Sequence, residues 1–329
     1  MTRRVAGLGI LLCVVLVFSL HAGLTFYSTG TVLAALTGEG GPDALIIKTL
    51  RLPRTLIGLI AGASLGLAGL LMQYVTRNPL AEPGLLGVNA GAALSVTLGI
   101  YFFGFGGLGS IGVLAILGAF GTTALVFYLS AVAGGVGKPA TTLLAGFTIA
   151  ALLGSLTQTL LLVDETALET LLFWISGSFA DRPLNLLLLG MPMLAIGVVG
   201  AFALATSLDV LRMDDSSAQA VGVNVGTVRL VALFLTALLA AGSVAMAGPV
   251  LFLGLAAPHL ARLLSGDSQP SAGGLIVLTM LIGGLISVSA DILARVIVAP
   301  GEAPMSAVLA IIGVPLLIHL LRKKEGAAQ

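Results

Sequence analysis

Apolar runs of more than about 18 residues, separated by short polar knots, recur along the whole chain, as expected of helices that cross a membrane. They predict ten spans, near 5–26, 54–75, 85–103, 109–133, 141–163, 184–206, 228–248, 250–264, 272–297 and 304–321. The run 250–264 is too short to cross roughly 30 Å of hydrocarbon upright at about 1.5 Å per residue. A partial helix sheltered by its neighbours is expected there. The stretch 166–178 predicts a short extra helix lying at the surface. No small-x-small cleavage site follows the first apolar run, so it reads as a retained helix. The expected fold is all-α, with residues 1–329 acting as one transmembrane domain.

Ten spans put both chain ends on one side. That side carries Arg3, Arg4, Arg77, Lys138, Arg212, Arg229, Arg262, Arg322, Lys323 and Lys324. The other carries Lys48, Arg51, Arg54, Arg182 and Arg295. The excess of cations places both termini in the cytoplasm.

Composition sharpens this picture. Hydrophobic residues make up 58% of the 329 and charged residues only 9%, against roughly 25% charged in a soluble chain. A net charge of +1 leaves no footprint for nucleic acid. The single cysteine, Cys13, lies in the first apolar run and rules out a disulfide within the chain. Glycine is abundant, and Gly58, Gly62 and Gly66 share one helix face where another backbone can approach.

Candidate chemistry is sparse. "GGVGKPA" (134–140) is the nearest approach to a phosphate-binding loop. It lacks the upstream glycine, and Pro139 stands where Ser or Thr should hold magnesium, so the chain should bind neither ATP nor magnesium itself. His21, His259 and His319 show no metal-ligand spacing, and no catalytic constellation is present. Asp291 is the nearest candidate for a coupling carboxylate, but it precedes Arg295 by four residues and reads as an intrahelical pair. Energy for pumping is therefore expected from a partner.

Pro53 fits a first helical turn, which puts Arg51 and Arg54 at the outer mouth of the second span. Two readings stay open: the side chains snorkel to headgroups, or they are displayed to an acidic partner. On the cytoplasmic side the longest polar insertion is 207–230. Asp214 and Asp215 can cap one short helix that ends near Gly222, and Asn224 can cap a second that runs into the next span. The insertion is read either as an ordinary loop or as a rigid knob.

Several stretches together resemble the FecCD-type permeases, the membrane subunits of ABC importers for ferric siderophores, haem and vitamin B12. They are "RLPRTLIGLIAGASLGLAGLLMQYVTRNPLAEPGLLGVNAGAAL" (51–94), "LLAGFTIAALLGSL" (143–156), "WISGSF" (174–179), "AQAVGVNV" (218–225), "GPVLFLGLAAPHLARLLSG" (248–266), "ADILAR" (290–295) and "AIIGVPLLIHLLRK" (310–323). The resemblance implies a bacterial inner-membrane subunit of ten spans, paired with a second permease, identical or paralogous. It also implies two ATPase subunits that hold ATP and magnesium, and a periplasmic or lipid-anchored binding protein. The implied cargo is a ferric siderophore; vitamin B12 and haem are the alternatives within the class, and an ion-coupled secondary transporter is the alternative outside it.

The resemblance also implies residue roles. Arg51, Arg54 and Arg295 match arginines that meet glutamates of the binding protein. Ser217, Ala218, Gly222, Val223 and Asn224, within a knob at 212–228, match the coupling helices that enter the ATPase. Asn78 and Leu80, with Pro139, Ala140 and Thr141, match two cytoplasmic constrictions; each also reads as a helix-ending turn. "GEAPMSAV" (301–308) and Lys138 depart from the family pattern.

Overall fold

A computed structural model describes residues 2–38, 40–134, 138–163, 165–266, 270–297, 303–313 and 315. The near-match to a phosphate loop at 135–137, the last span beyond 313, His319 and the basic cluster Arg322–Lys324 thus lie mostly or wholly outside the described residues. The structure is helical: α1 Thr2–His21, α2 Thr29–Thr37, α3 Pro42–Ile46, α4 Leu52–Thr76, α5 Val88–Phe103, α6 Leu108–Val132, α7 Pro139–Leu161, α8 Glu165–Ile175, α9 Leu187–Val210, α10 Asp215–Ala220, α11 Val225–Ala247, α12 Leu253–Ser265 and α13 Ala272–Ile297. Helical turns continue over 305–313. Among the described residues, seven helical stretches are long and apolar enough to cross a membrane; α5 is a shorter apolar helix and α12 spans only 13 residues. The chain is a multi-pass membrane protein. The face where it begins is called the terminal face, and the opposite one the far face.

The second span starts earlier than the proline suggests. Helix runs without a break from Pro42 to Thr76, through a π turn at Ile47–Arg51. Leu52 donates its N–H to Ile47 O, five residues back, just before Pro53, which has no N–H to give. The wide turn relieves the ladder where the proline interrupts it.

Helices α4 and α11 form the centre. Gly62 and Gly66 let α4 lie against the α13 backbone: a Cβ at Gly62 would stand 2.5 Å from Gly283 O, and one at Gly66 2.8 Å from Thr279 O. Close approach through glycine gives packing where lipid offers no hydrophobic drive between helices. By contrast α1, α7 and α9 turn much of their surface outward, with Val14, Phe147, Leu188 and Val199 exposed.

Helix α8 differs from expectation. It does not simply lie on the surface, because Leu171 and Trp174 are fully buried.

Two irregular segments meet inside the bundle. After Thr76 the chain doubles back, so that Pro83 packs on Gly254 beside Leu65 O. Leu65 stands eleven residues, or roughly 16 Å, along α4 from Thr76. From the other side comes the turn 248–252, where Phe252 takes a left-handed φ of 71°. The Phe252 N–H donates to the Glu82 carboxylate, so one irregular segment satisfies the other. Non-helical backbone at depth is tolerated only when buried in protein in this way.

Candidate functional site

The far face gathers Arg51, Arg54 and Arg295, which come from two helices far apart in sequence. None is displayed outward or extended to headgroups as the sequence reading allowed. They are 8%, 6% and 5% exposed. The cause is the end of α1, whose last carbonyls have no partner within the helix. Arg51 donates to Leu20 O at 3.0 Å, His21 O at 2.7 Å and Thr25 O at 2.6 Å. Arg295 donates to Ser19 O and Ala22 O, both at 3.1 Å. Two guanidinium forks thus close the C-terminus of α1, where the helix dipole favours a cation.

Arg54 has a different task. Its Nε donates to Asp291 Oδ1 at 2.8 Å, while Arg295 lies 2.9 Å from Asp291 Oδ2. Asp291 and Arg295 are therefore not a self-contained pair; a third residue from α4 joins them. The three arginines also line a cavity of about 340 Å³ that includes Tyr27 and Asp181. Among the described residues, Asp181 lines this cavity with the three guanidinium groups, and Asp291 lies behind them between Arg54 and Arg295.

On the terminal face the knob at 212–228 is built by caps. The Asp214 carboxylate accepts from the Ser217 N–H at 3.0 Å, and Asn224 Oδ1 accepts from the Thr227 N–H at 3.1 Å. Gly222 supplies the turn between them at φ 88°. Asp215 does not cap. It takes both forks of Arg229 at 2.9 Å and also pairs with Arg77 at 2.7 Å. Arg77 in turn donates to Leu211 O and Met213 O, so the knob is tied to the end of α4. Gly222 and Asn224 lie at its surface, and Ser217 and Val223 are partly covered. Ala218 is fully buried and cannot belong to the surface the knob presents; its small side chain lets the turn close under it. Val221, 63% exposed, is the apolar tip that the sequence reading passed over. An apolar residue directly before the turn glycine was the available signal.

The gate candidates sit at helix ends. Asn78 Oδ1 accepts from the Leu80 N–H at 2.9 Å just past α4, and Leu80 is exposed. Pro139, Ala140 and Thr141 form the first turn of α7.

The Ser216 and Ser217 hydroxyls and the Ser217 N–H hold Asp214 below the usual carboxylate range. The Arg229 fork does the same for Asp215. Carboxylates depressed on folding add stability above their unfolded pKa, near 3.9, and lose it as pH falls toward the folded value. Protection of the amides over 215–224, relative to an unfolded chain at the same pH, should hold from about pH 8 to 5 and fall below about pH 4. Unchanged protection at about pH 3 would mean that these carboxylates do not hold the knob.

The comparisons agree with this architecture. The FecCD transport family matches residues 11–323. The chain is 38% identical over 326 residues to the ferric enterobactin transport system permease of Escherichia coli (strain K12), covering 98% of this chain and 96% of that one. It is 38% identical over 285 residues to the Fe(3+)-citrate import system permease of Bacillus subtilis (strain 168), covering 87% and 84%. A metal-chelate type ABC transporter solved in an inward-facing conformation superposes with a TM-score of 0.87 at 32% identity, covering 98% of this chain and all of that one. With one match running nearly end to end and a shared helical architecture, this chain belongs to the FecCD transport family, whose members here are membrane permeases of ABC importers.

Proposed function

We propose that the chain is the permease subunit of a binding-protein-dependent importer that carries a ferric siderophore across the bacterial inner membrane, with both termini in the cytoplasm. The observation that carries this reading is the 38% identity to the ferric enterobactin permease over nearly the whole of both chains. Residues 1–329 act as one transmembrane unit beside a second permease, identical or paralogous. The chain holds no cofactor of its own, and separate ATPase subunits bind ATP and magnesium. The gathering of Arg51, Arg54 and Arg295 around one cavity supports a docking role: an acidic side chain of a binding protein enters it. Such a contact would set orientation and on-rate more than affinity.

In the same reading, the surface of the knob, with Ser217, Gly222, Val223 and Asn224, seats in the ATPase, and Ala218 supports it from within. The turns at Asn78–Leu80 and Pro139–Thr141 open and close the cytoplasmic end as the helices rock.

The test is uptake of a ferric catecholate siderophore into vesicles holding the permease, its ATPase and its binding protein. The wild type should import the chelate only with ATP. Gly222→Leu places a side chain at a left-handed φ, at a cost of roughly 1–2 kcal/mol, and should hydrolyse ATP with uptake reduced by about an order of magnitude. Accumulation without nucleotide would establish an ion-coupled transporter instead. Retention of haem or cobalamin by the purified binding protein would replace the siderophore.

A further inference from the structure

A cavity of about 570 Å³ opens between the terminal-face ends of α4, α9, α12 and α13. Tyr74, Arg77, Arg212, His259 and Arg262 line it, with Gln73. No carboxylate lines it among the described residues. The nearby acids are engaged by partners other than Arg262. Asp209 accepts twice from the Ala272 N–H, at 2.9 and 3.1 Å, and stands 3.3 Å from Arg212. Asp215 serves Arg229 and Arg77. Arg212 donates to Tyr74 Oη and Pro270 O, both at 2.6 Å. Arg262 is half-buried; its carbonyl accepts from Ser265 Oγ, and among the described residues its guanidinium has no hydrogen bond or ion pair. A partly buried guanidinium that faces a second one, with no carboxylate of its own among the described residues, is costly unless an anion joins it.

Two further observations narrow the ligand. The Gln73 side chain is 4% exposed, and its Oε1 accepts no hydrogen bond. An acceptor on the wall of a basic cavity suits a ligand that brings hydroxyl groups as well as charge. His259 also borders an apolar cavity of about 290 Å³ lined by Leu260, Leu285, Ile286 and Leu309. An acyl chain would fit beside the charged group.

We propose that this basic cavity is a binding site for a phosphate group, held by Arg262 and Arg212 and read by Gln73. The chemistry is shared by the headgroup of an anionic phospholipid and by free phosphate. Basic pockets between helices on the cytoplasmic side suit such headgroups, and guanidinium forks match phosphate geometry. The site is independent of which chelate the permease carries.

The experiment equilibrates the full chain in detergent with dioleoyl phosphatidylglycerol, dioleoyl phosphatidylcholine or inorganic phosphate, and measures what remains bound by native mass spectrometry. Phosphatidylglycerol should be retained over phosphatidylcholine. Arg262→Gln should weaken that retention roughly tenfold, the value of one charged hydrogen-bond partner. Retention unaffected by millimolar inorganic phosphate assigns the site to lipid. Displacement by phosphate, with the same loss in Arg262→Gln, assigns it to the free anion; both results support an anion site. Should Arg262→Gln fail to fold, the wild type still decides: retention must fall as salt rises from about 50 to 500 mM, since charge attraction is screened. Equal retention of both lipids, with no phosphate bound, or wild-type retention indifferent to salt overturns the proposal.

Discussion

Replacing Asp291 by Ala is expected to destabilise the protein by about 3–5 kcal/mol, the usual cost of removing one partner from a buried ion pair. Asp291 is 1% exposed and lies between Arg54 and Arg295, which are themselves buried. Its loss would remove the carboxylate that Arg54 and Arg295 share. Asp291→Asn should fare little better, because the amide keeps a hydrogen-bond acceptor and loses the charge. Thermal unfolding of the purified protein in detergent measures the effect. A loss below about 1 kcal/mol would mean that water or lipid reaches the site and screens it.

The second large effect is expected at Gly69. A Cβ there would collide with the Gly254 carbonyl oxygen, so α4 and α12 would have to separate. Backbone cannot turn aside as a side chain can. Gly69→Ala should therefore cost at least the upper part of the 1–3 kcal/mol typical of over-packing. Gly121→Ala is the control, since nothing lies within 4 Å of its would-be Cβ. That variant should be neutral or slightly stabilising, and equal losses at both positions would show that the crossing is not as close as described. The turn 248–252, held between α11 and α12, should be disturbed with Gly69 and not with Gly121.

These two sites show what the sequence could and could not tell. The spans were legible because hydrocarbon thickness sets the length of an apolar run. Even the short α12 could be picked out, since 13 residues cannot cross upright. The caps at Asp214 and Asn224 were legible because capping acts over three residues. The surroundings of the arginines were not. Arg51 and Arg295 bond to carbonyls at the end of α1, and no local spacing links position 295 to position 19. Asp291 looked like half of an intrahelical pair because only Arg295 is near it in sequence. Asp215 was read as a cap because its two cations lie 14 and 138 residues away. The doubled-back segment at 77–87 carries no periodicity at all. Its depth follows from the glycine at 254, which admits Pro83 against α12.

The closing of α1 by arginines from α4 and α13 bears on how the chain is made. Ser19 and Arg295 are separated by 276 residues. The first helix therefore enters the bilayer long before its second fastening exists. Until the ribosome has delivered α13, α1 is held at that end by Arg51, by the Ser19–Thr55 hydroxyl pair and by the packing of Leu20. A product that stops short of residue 295 would present quality-control proteases with a leading helix that lacks its second fastening.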